Sequence, residues 1–235
     1  MSSLLIDWCS YEAAKYAVLH WHYSKKMPVS KLNNIGIWES GKFIGVIIFG
    51  VGATRKMVAP YGLIPEEGCE LVRIAMMEHD NYVTRCVSKA IKIMKGHNPG
   101  LRLIVSYADP NQSHLGKIYQ AGNWIYSGLG AGAYFYLDKN GREYHSRNIG
   151  NYEGVDKFGV TKHHYDSMVH KEKRPGKYRY LYPLDKAMRR QILPLSKPYP
   201  KRETCGQGVH GDTPASQVGD PGSSPGVRSE LAELV

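Results

Sequence analysis

Six residues with proton-handling or hydrogen-bonding side chains crowd into one short stretch, VSYADPNQSHLGKIYQAGNW, which starts as an apolar run at Val105 and ends at Trp124. Ser106, Tyr107, Asp109, His114, Tyr119 and Asn123 supply a carboxylate that can accept a proton, a phenol that can donate one, an imidazole that can do either, and groups that can hydrogen-bond a ligand's edge. That set suits acid/base work at a ligand. Asp109 stands before Pro110, and DPN is also a good turn and cap sequence, so a proton acceptor and a turn residue are both open readings.

A second cluster lies upstream in HWHYSKKMP. His20 and His22, at i and i+2, are the candidate metal ligands, with no obvious third partner. His22, Tyr23 and Ser24 can equally form an acid/base and substrate-orienting group, or simply a polar helix end. Between the clusters, CELVRIAM carries Glu70 and Arg73 inside an apolar run. Buried charges need partners, so these two are expected to pair with each other or with Asp109, or to face a ligand. His163 and His164 read as a solvated pair.

The elements that must hold these groups follow from pattern. IGIWESGKFIGVIIFG is a hairpin turning at Ser40-Gly41, and Val83 to Met94 carries apolar residues at helical spacing closed by NPG. LRLIVSY is a buried strand; Ser113 is the expected cap of a short helix through Gln120, with Gly122 ending it and NWIY opening another strand. Hairpin, strand, helix, strand, short helix, strand is the order of an α/β (mixed α+β) sheet with a parallel pair in its middle. Ligands of such sheets bind beyond the carboxyl ends of the strands, where Ser106, Tyr107 and Asp109 should fall.

The chain has 235 residues, enough for one sizeable core. Its formal charge is +10, and residues 139–202 hold sixteen Lys or Arg against six Asp or Glu, interleaved with tyrosines as in KYRYLYPLDKAMRR. A polyanion, with nucleic acid first, is the expected partner. The expected organisation is a compact catalytic core over 1–138, a basic extension over 139–202 that completes the fold and binds double-stranded DNA through Lys173, Arg174, Lys177 and Arg179, and a disordered Gly/Ser/Pro-rich tail over 203–235. Four cysteines without C-x-x-C spacing suggest a reducing compartment, and no apolar run approaches a membrane span, so a cytoplasmic protein with no membrane partner is expected.

HYSKKMP, IGVIIFG, CELVRIAM, VSYADPNQSHLGKIYQAGNWIYSG and KYRYLYPL, in that order, resemble the Mom family of phage DNA-modification proteins, over about residues 15 to 185. The resemblance implies a GCN5-related acyltransferase (GNAT-like) fold. It also implies conversion of adenine in DNA to its N6-carbamoylmethyl form, an anti-restriction modification made in the bacterial host. On that mapping CELVRIAM is the fourth strand, Val83 to Met94 the third helix, LRLIVSY the fifth strand and Ser113 to Gln120 the fourth helix. Tyr119 then falls where the fold often keeps a tyrosine general acid. The wider fold binds the CoA pyrophosphate on a glycine-rich loop, but here that loop is MMEHDNYVTR, without glycine and with Glu78 and Asp80 in it. Thr84 and Arg85 are the remaining donor-binding candidates.

Adenine N6 in a duplex is stacked and a poor nucleophile, so the chemistry implies a flipped-out base between aromatic walls, for which Trp21, Tyr23, Tyr107 and Trp124 are candidates beside their ordinary packing roles. In this scheme Asp109 takes a proton from N6, Ser106 and Asn123 hydrogen-bond the base, and Tyr119 protonates the leaving group. A glycyl group has the atoms of the carbamoylmethyl addition, so activated glycine, such as glycyl-tRNA, is one expected donor; acetyl-CoA and a metal-assisted route are the others. The competing classes are a non-catalytic basic DNA-binding protein and an acyltransferase acting on RNA or protein.

Overall fold

The computed structural model describes residues 3–29, 31–52, 54–157 and 159–201. In chain order the elements are β1 (Leu4–Trp8), α1 (Tyr11–Trp21), β2 (Leu32–Glu39), β3 (Lys42–Gly50), β4 (Gly68–Met76), α2 (Val83–His97), β5 (Leu103–Ala108), α3 (Lys117–Ala121), β6 (Ile125–Leu129), β7 (Ala133–Asp138), β8 (Glu143–His145), β9 (Ile149–Gly150), β10 (Gly154–Val155), β11 (Thr161–His164), β12 (Met168–Arg174), β13 (Tyr178–Pro183) and α4 (Lys186–Ile192).

Seven strands form one sheet in the order β1-β2-β3-β4-β5-β13-β6, antiparallel throughout except for the central β4–β5 pair. The hairpin between β2 and β3 turns where its sequence requires: Ser40 and Gly41 both take positive φ, 49° and 78°. The amphipathic face of α2 buries Cys86, Val87, Ala90, Ile91 and Met94, which join Trp124, Tyr126 and Tyr180 in the main core cluster. Helices α1 and α4 supply Ala13, Ala14, Ala17, Val18, Met188 and Ile192 of two further clusters.

Two departures from strict pairing shape the site. Opposite Ile48 and Phe49 the register of β4 jumps from Arg73 to Leu71, leaving Val72 bulged. The parallel ladder then runs only from Gly68↔Leu103 to Leu71↔Ser106, after which β4 and β5 diverge. A gap therefore opens in mid-sheet at the carboxyl ends of two central strands.

Several expectations need correction. The fourth and fifth strands fall where expected, but among the described residues a single helix precedes β2, so the helix after β4 is the second and the short one after β5 the third. Ser113 does not cap that short helix. It ends a 3-10 turn at Pro110–Gln112 in the left-handed region, φ 55°, and α3 starts from Gly116. Gly122 ends α3 as expected.

The basic segment divides. Its strand β13 lies between β5 and β6, so Tyr178–Pro183 and α4 belong to the core sheet and its packing. Residues 133–174 form an arm inserted between β6 and β13, built from the small sheets β12-β7-β8 and β10-β11-β9. At its root a side chain on Gly176 would strike the carbonyl oxygens of Gly130 and Ala131, and one on Gly132 the carbonyl of Arg174. Glycine permits this close crossing of two backbones. The tail from 203 onward lies outside the described residues.

Candidate active site

A cleft of about 1380 Å³ occupies the divergence of β4 and β5. One wall is the loop after α1, with Trp21, His22 and Tyr23; the floor is Glu70 to Ile74 and Tyr107 to Asp109; the segment His114 to Tyr119 forms the opposite wall, and the arm root closes the rim. The bulge at Val72 matters here because it sets which way Arg73 faces: Arg73 lines the cleft, its Nη1 donates to the Val72 carbonyl at 2.8 Å, and its buried Nε has no hydrogen-bond partner among the described residues.

His22, 8% exposed, sits at the C-cap of α1. Its Nδ1 accepts from the Ser24 backbone N–H at 3.1 Å and lies 2.8 Å from Ser24 Oγ. Because a backbone N–H can only donate, the neutral ring carries its proton on Nε2. Burial, followed by the neighbouring Arg73, His114 and Lys25, lowers its pKa to about 4. The Tyr23 ring lies 4.3 Å from the His22 ring and meets His114 edge-on at 4.9 Å. His22, Tyr23 and His114 thus form a continuous aromatic and imidazole wall, with Ser24 as its positioning partner.

Tyr119 and Ser106 form a second chain of hydrogen bonds where β4 and β5 part. The Leu71 carbonyl can only accept, so Ser106 donates its proton there at 2.8 Å, and Tyr119 donates to Ser106 Oγ at 2.7 Å. Burial pushes the Tyr119 phenol up to about 12. At neutral pH Tyr119 is protonated and can act as an acid, not as a base. Burial also raises the Tyr107 phenol, with Glu70 adding to the effect.

Asp109 carries two geometries at once. Its Oδ1 accepts from the Asn111 backbone and side-chain amides, both at 3.0 Å, capping the turn that its DPN sequence anticipates. Its Oδ2 lies 3.5 Å from Lys177 Nζ at the cleft wall. Glu70, which has a partner, and Arg73 both line the same cleft.

Other sequence candidates fall elsewhere. Trp124 is 2% exposed in the main core, outside the cleft wall, whereas Trp21, Tyr23 and Tyr107 line it. Asn123 is exposed, takes φ 56°, and lies outside the cleft. His20 donates from Nδ1 to the Tyr16 carbonyl and stacks on Tyr16. Among the described residues no group of three or more His, Cys, Asp or Glu could hold a metal ion. Burial raises the Cys9 and Cys69 thiols to about 12 and Cys86 to about 11, so none of these offers a thiolate nucleophile. Of the four basic candidates, Lys177 and Arg179 line the cleft, with Arg179 Nε donating to Ser127 Oγ at 3.1 Å. Arg174 is held by Glu143 and Glu172 and lies 4.5 Å over the Phe135 ring, and Lys173 is exposed on β12.

Residues that pattern reading missed complete the rim. Lys117, His145 and Arg147 line the cleft, the last two from the arm. With Arg73, Lys177 and Arg179 the cleft counts five Lys or Arg against the two carboxylates Glu70 and Asp109. Only the folding back of the arm places its residues there, and no local signal announces that.

The head of α2 is different. Thr84 and Arg85 do not line the cleft, and neither does any residue of the loop before them. There Glu39, from the end of β2 and 8% exposed, accepts from the backbone amides of Asp80 at 3.1 Å and Asn81 at 2.8 Å and from Asn81 Nδ2 at 2.7 Å. Arg85 Nη1 in turn donates to Asn81 Oδ1 at 2.7 Å. This is a poor fit for the pyrophosphate of CoA, since the amides at this helix head already hold an anion.

A mixed α/β sheet thus splits at its central parallel pair, and a phenol, imidazoles, carboxylates and cations converge on the split. The chain belongs to the Mom protein family, whose model matches residues 3–201. It is 26% identical over 199 residues to the methylcarbamoylase Mom of Escherichia phage Mu, covering 77% of this chain and 76% of that protein. Among solved structures it is similar to FeeM, an N-acyl amino acid synthase from uncultured soil microbes, with TM-score 0.45, 9% identity and 81% and 95% of the two chains covered. It is also similar to an IAA acetyltransferase of Bacillus cereus, with TM-score 0.39, 17% identity and 77% and 100% covered. No helix among the described residues is long and apolar enough to cross a membrane.

Proposed function

We propose that the protein modifies adenine N6 in double-stranded DNA to N6-carbamoylmethyladenine, using an activated glycyl group, and so protects phage DNA from restriction. The observation that carries this reading is the cation-rimmed cleft at the β4–β5 split, where Tyr119, His22, Arg73 and Asp109 meet in a chain of the Mom family. The duplex lies along the basic rim and arm, and the target base turns out into the cleft between Tyr23 and Tyr107. Arg73 and the Nε2 proton of His22 stabilise charge developing on the acyl oxygen.

N6 attacks the glycyl ester carbonyl. An N–C bond forms, the N6 proton passes to Asp109, the ester C–O bond breaks, and the leaving hydroxyl receives a proton from Tyr119. The freed glycyl amine then attacks adenine C6 through a five-membered ring, and the original N6 departs from C6 as the terminal amide nitrogen. No atom is lost in this second step, and no oxidant or reductant is needed. The ester alcohol is the end of a tRNA, a polyanion that suits the same rim.

The test is mass spectrometry of DNA from bacteria expressing the full chain, fed briefly with 15N-glycine. Deoxyadenosine carrying an added C2H3NO group, with the label on the nitrogen bonded to the purine ring, is the expected result. Asp109→Ala should abolish it in a folded protein. Unmodified DNA would leave a basic DNA-binding protein or an acyltransferase with another acceptor. Modified DNA whose label sits only in the purine ring atoms would overturn the glycyl donor.

A further inference from the structure

We infer that Glu39 is a built-in anion that occupies the amide cradle at the head of α2 and excludes a diphosphate-bearing donor from it. A helix N-terminus with free amides attracts phosphate through its partial positive charge and its donors. In this chain the loop that leads into α2, which would lend its own amides to such a site, has them engaged: Met77 N–H by the Ile44 carbonyl at 3.0 Å, and Asp80 and Asn81 N–H, just before the Tyr82 cap, by the Glu39 carboxylate. Glu39 is 8% exposed, so the carboxylate is seated within the cradle rather than resting on its surface. Burial works to raise its pKa, and the hydrogen bonds from Asp80 and Asn81 together outweigh that and hold it below the ordinary carboxylate value. It is therefore charged at neutral pH. An incoming diphosphate would have to displace a resident anion and also pass the exposed carboxylates of Glu78 and Asp80.

The cleft points the same way, since neither α2 nor the loop before it contributes to its lining. A donor whose diphosphate was anchored at the α2 head would lie outside the cleft's own cations. A donor held by Arg73, Lys117, Arg147, Lys177 and Arg179 would lie within reach of Tyr119. This inference rests on the acyl-transfer reading for its meaning, but not for its test.

The experiment titrates 15N-labelled full-length protein with coenzyme A and, separately, with inorganic pyrophosphate, following the backbone amides of Asp80 and Asn81. In the parent protein neither probe should shift these two resonances, and any coenzyme A shifts should be confined to residues of the cleft. In Glu39→Ala, which vacates the cradle, pyrophosphate should shift both. If that variant does not fold, Glu39→Gln keeps the volume and removes the charge, and its Asp80 and Asn81 amides should exchange with solvent at least about tenfold faster than the parent's. Saturable binding of coenzyme A to the parent with shifts at Asp80 and Asn81 would overturn the inference. So would a folded Glu39→Ala whose amides ignore pyrophosphate. DNA modification in cells is read separately, so its absence would refute the proposed reaction without touching the cradle.

Discussion

Two polar clusters flank β4, one along its second half and one beyond its carboxyl end, and they are built on opposite principles. At the head of α2 the Glu39 carboxylate meets two backbone amides and the Asn81 side chain, and Asn81 meets Arg85, so the cluster answers its own charges. At the β4–β5 divergence Arg73 keeps a buried Nε without an acceptor among the described residues, and the neutral His22 holds its ring proton on Nε2. Buried polar groups cost free energy unless paired. A cluster that pairs itself contributes to stability, whereas one that leaves donors aimed at a cleft gives up some stability for something that binds there. The difference sets the divergence apart as the place with groups free to meet a ligand, and the helix head as self-satisfied structure.

The sharpest way to break this comparison is at Tyr119, the phenol of the open cluster and the general acid of the proposed reaction. Tyr119→Phe removes one hydrogen bond to Ser106, which still donates to the Leu71 carbonyl, so the fold should lose only about 1 kcal/mol. Modification of DNA should fall by about 10²- to 10⁴-fold, the usual worth of a positioned general acid. A variant with near-parent modification in single-turnover assays removes Tyr119 from the chemistry and leaves it as packing against Trp124 and Tyr180.

A paired experiment sharpens the contrast. Glu39→Ala leaves the Asp80 and Asn81 donors unsatisfied and should cost about 3 kcal/mol in urea unfolding. Arg73→Met removes a guanidinium whose Nε is already unpaired and should stay within about 1 kcal/mol of the parent while losing at least about a hundredfold in activity. If Arg73→Met proved the more destabilising of the two, the assignment of structure and site would be reversed.

What the sequence made legible follows the range of the interactions. The Ser40-Gly41 turn, the α2 face, the Gly122 stop and the β5 strand depend on neighbours in sequence, and they fall where pattern places them. The crowding after Val105 announced the cleft for the same reason, since strand ends carry ligands in such sheets. Asp109 caps the turn that DPN announces and also lines the cleft, because the turn sits at the end of the strand. Local signal failed where the chain returns from afar. Nothing near Tyr178 says that β13 slots between β5 and β6, and nothing near Glu39 says that its carboxylate meets amides some forty residues on. A Glu before a Ser-Gly turn looks like a solvated flank. Trp124 was misplaced because an aromatic beside polar residues reads alike as a wall or as core.

The smallest expected effect belongs to His22, and it concerns pH. Folding lowers the pKa of this ring to about 4 by burial and by Arg73, His114 and Lys25, while in the unfolded chain it stays near its ordinary 6.5. Between those values the unfolded chain binds a proton that the native protein refuses, so native stability falls as pH drops from 6.5 towards 4 and is fully present above 6.5. Across that window the loss should be of the order of 2 kcal/mol. His22→Gln keeps an acceptor for the Ser24 amide and does not titrate, so the difference in unfolding free energy between parent and variant should shift by that amount between pH 7 and pH 4.5. A constant difference across that range would mean that His22 is solvated and charged like any surface histidine. It would then be no neutral donor at the centre of the open cluster, and Arg73 would be left to face the reacting oxygen alone.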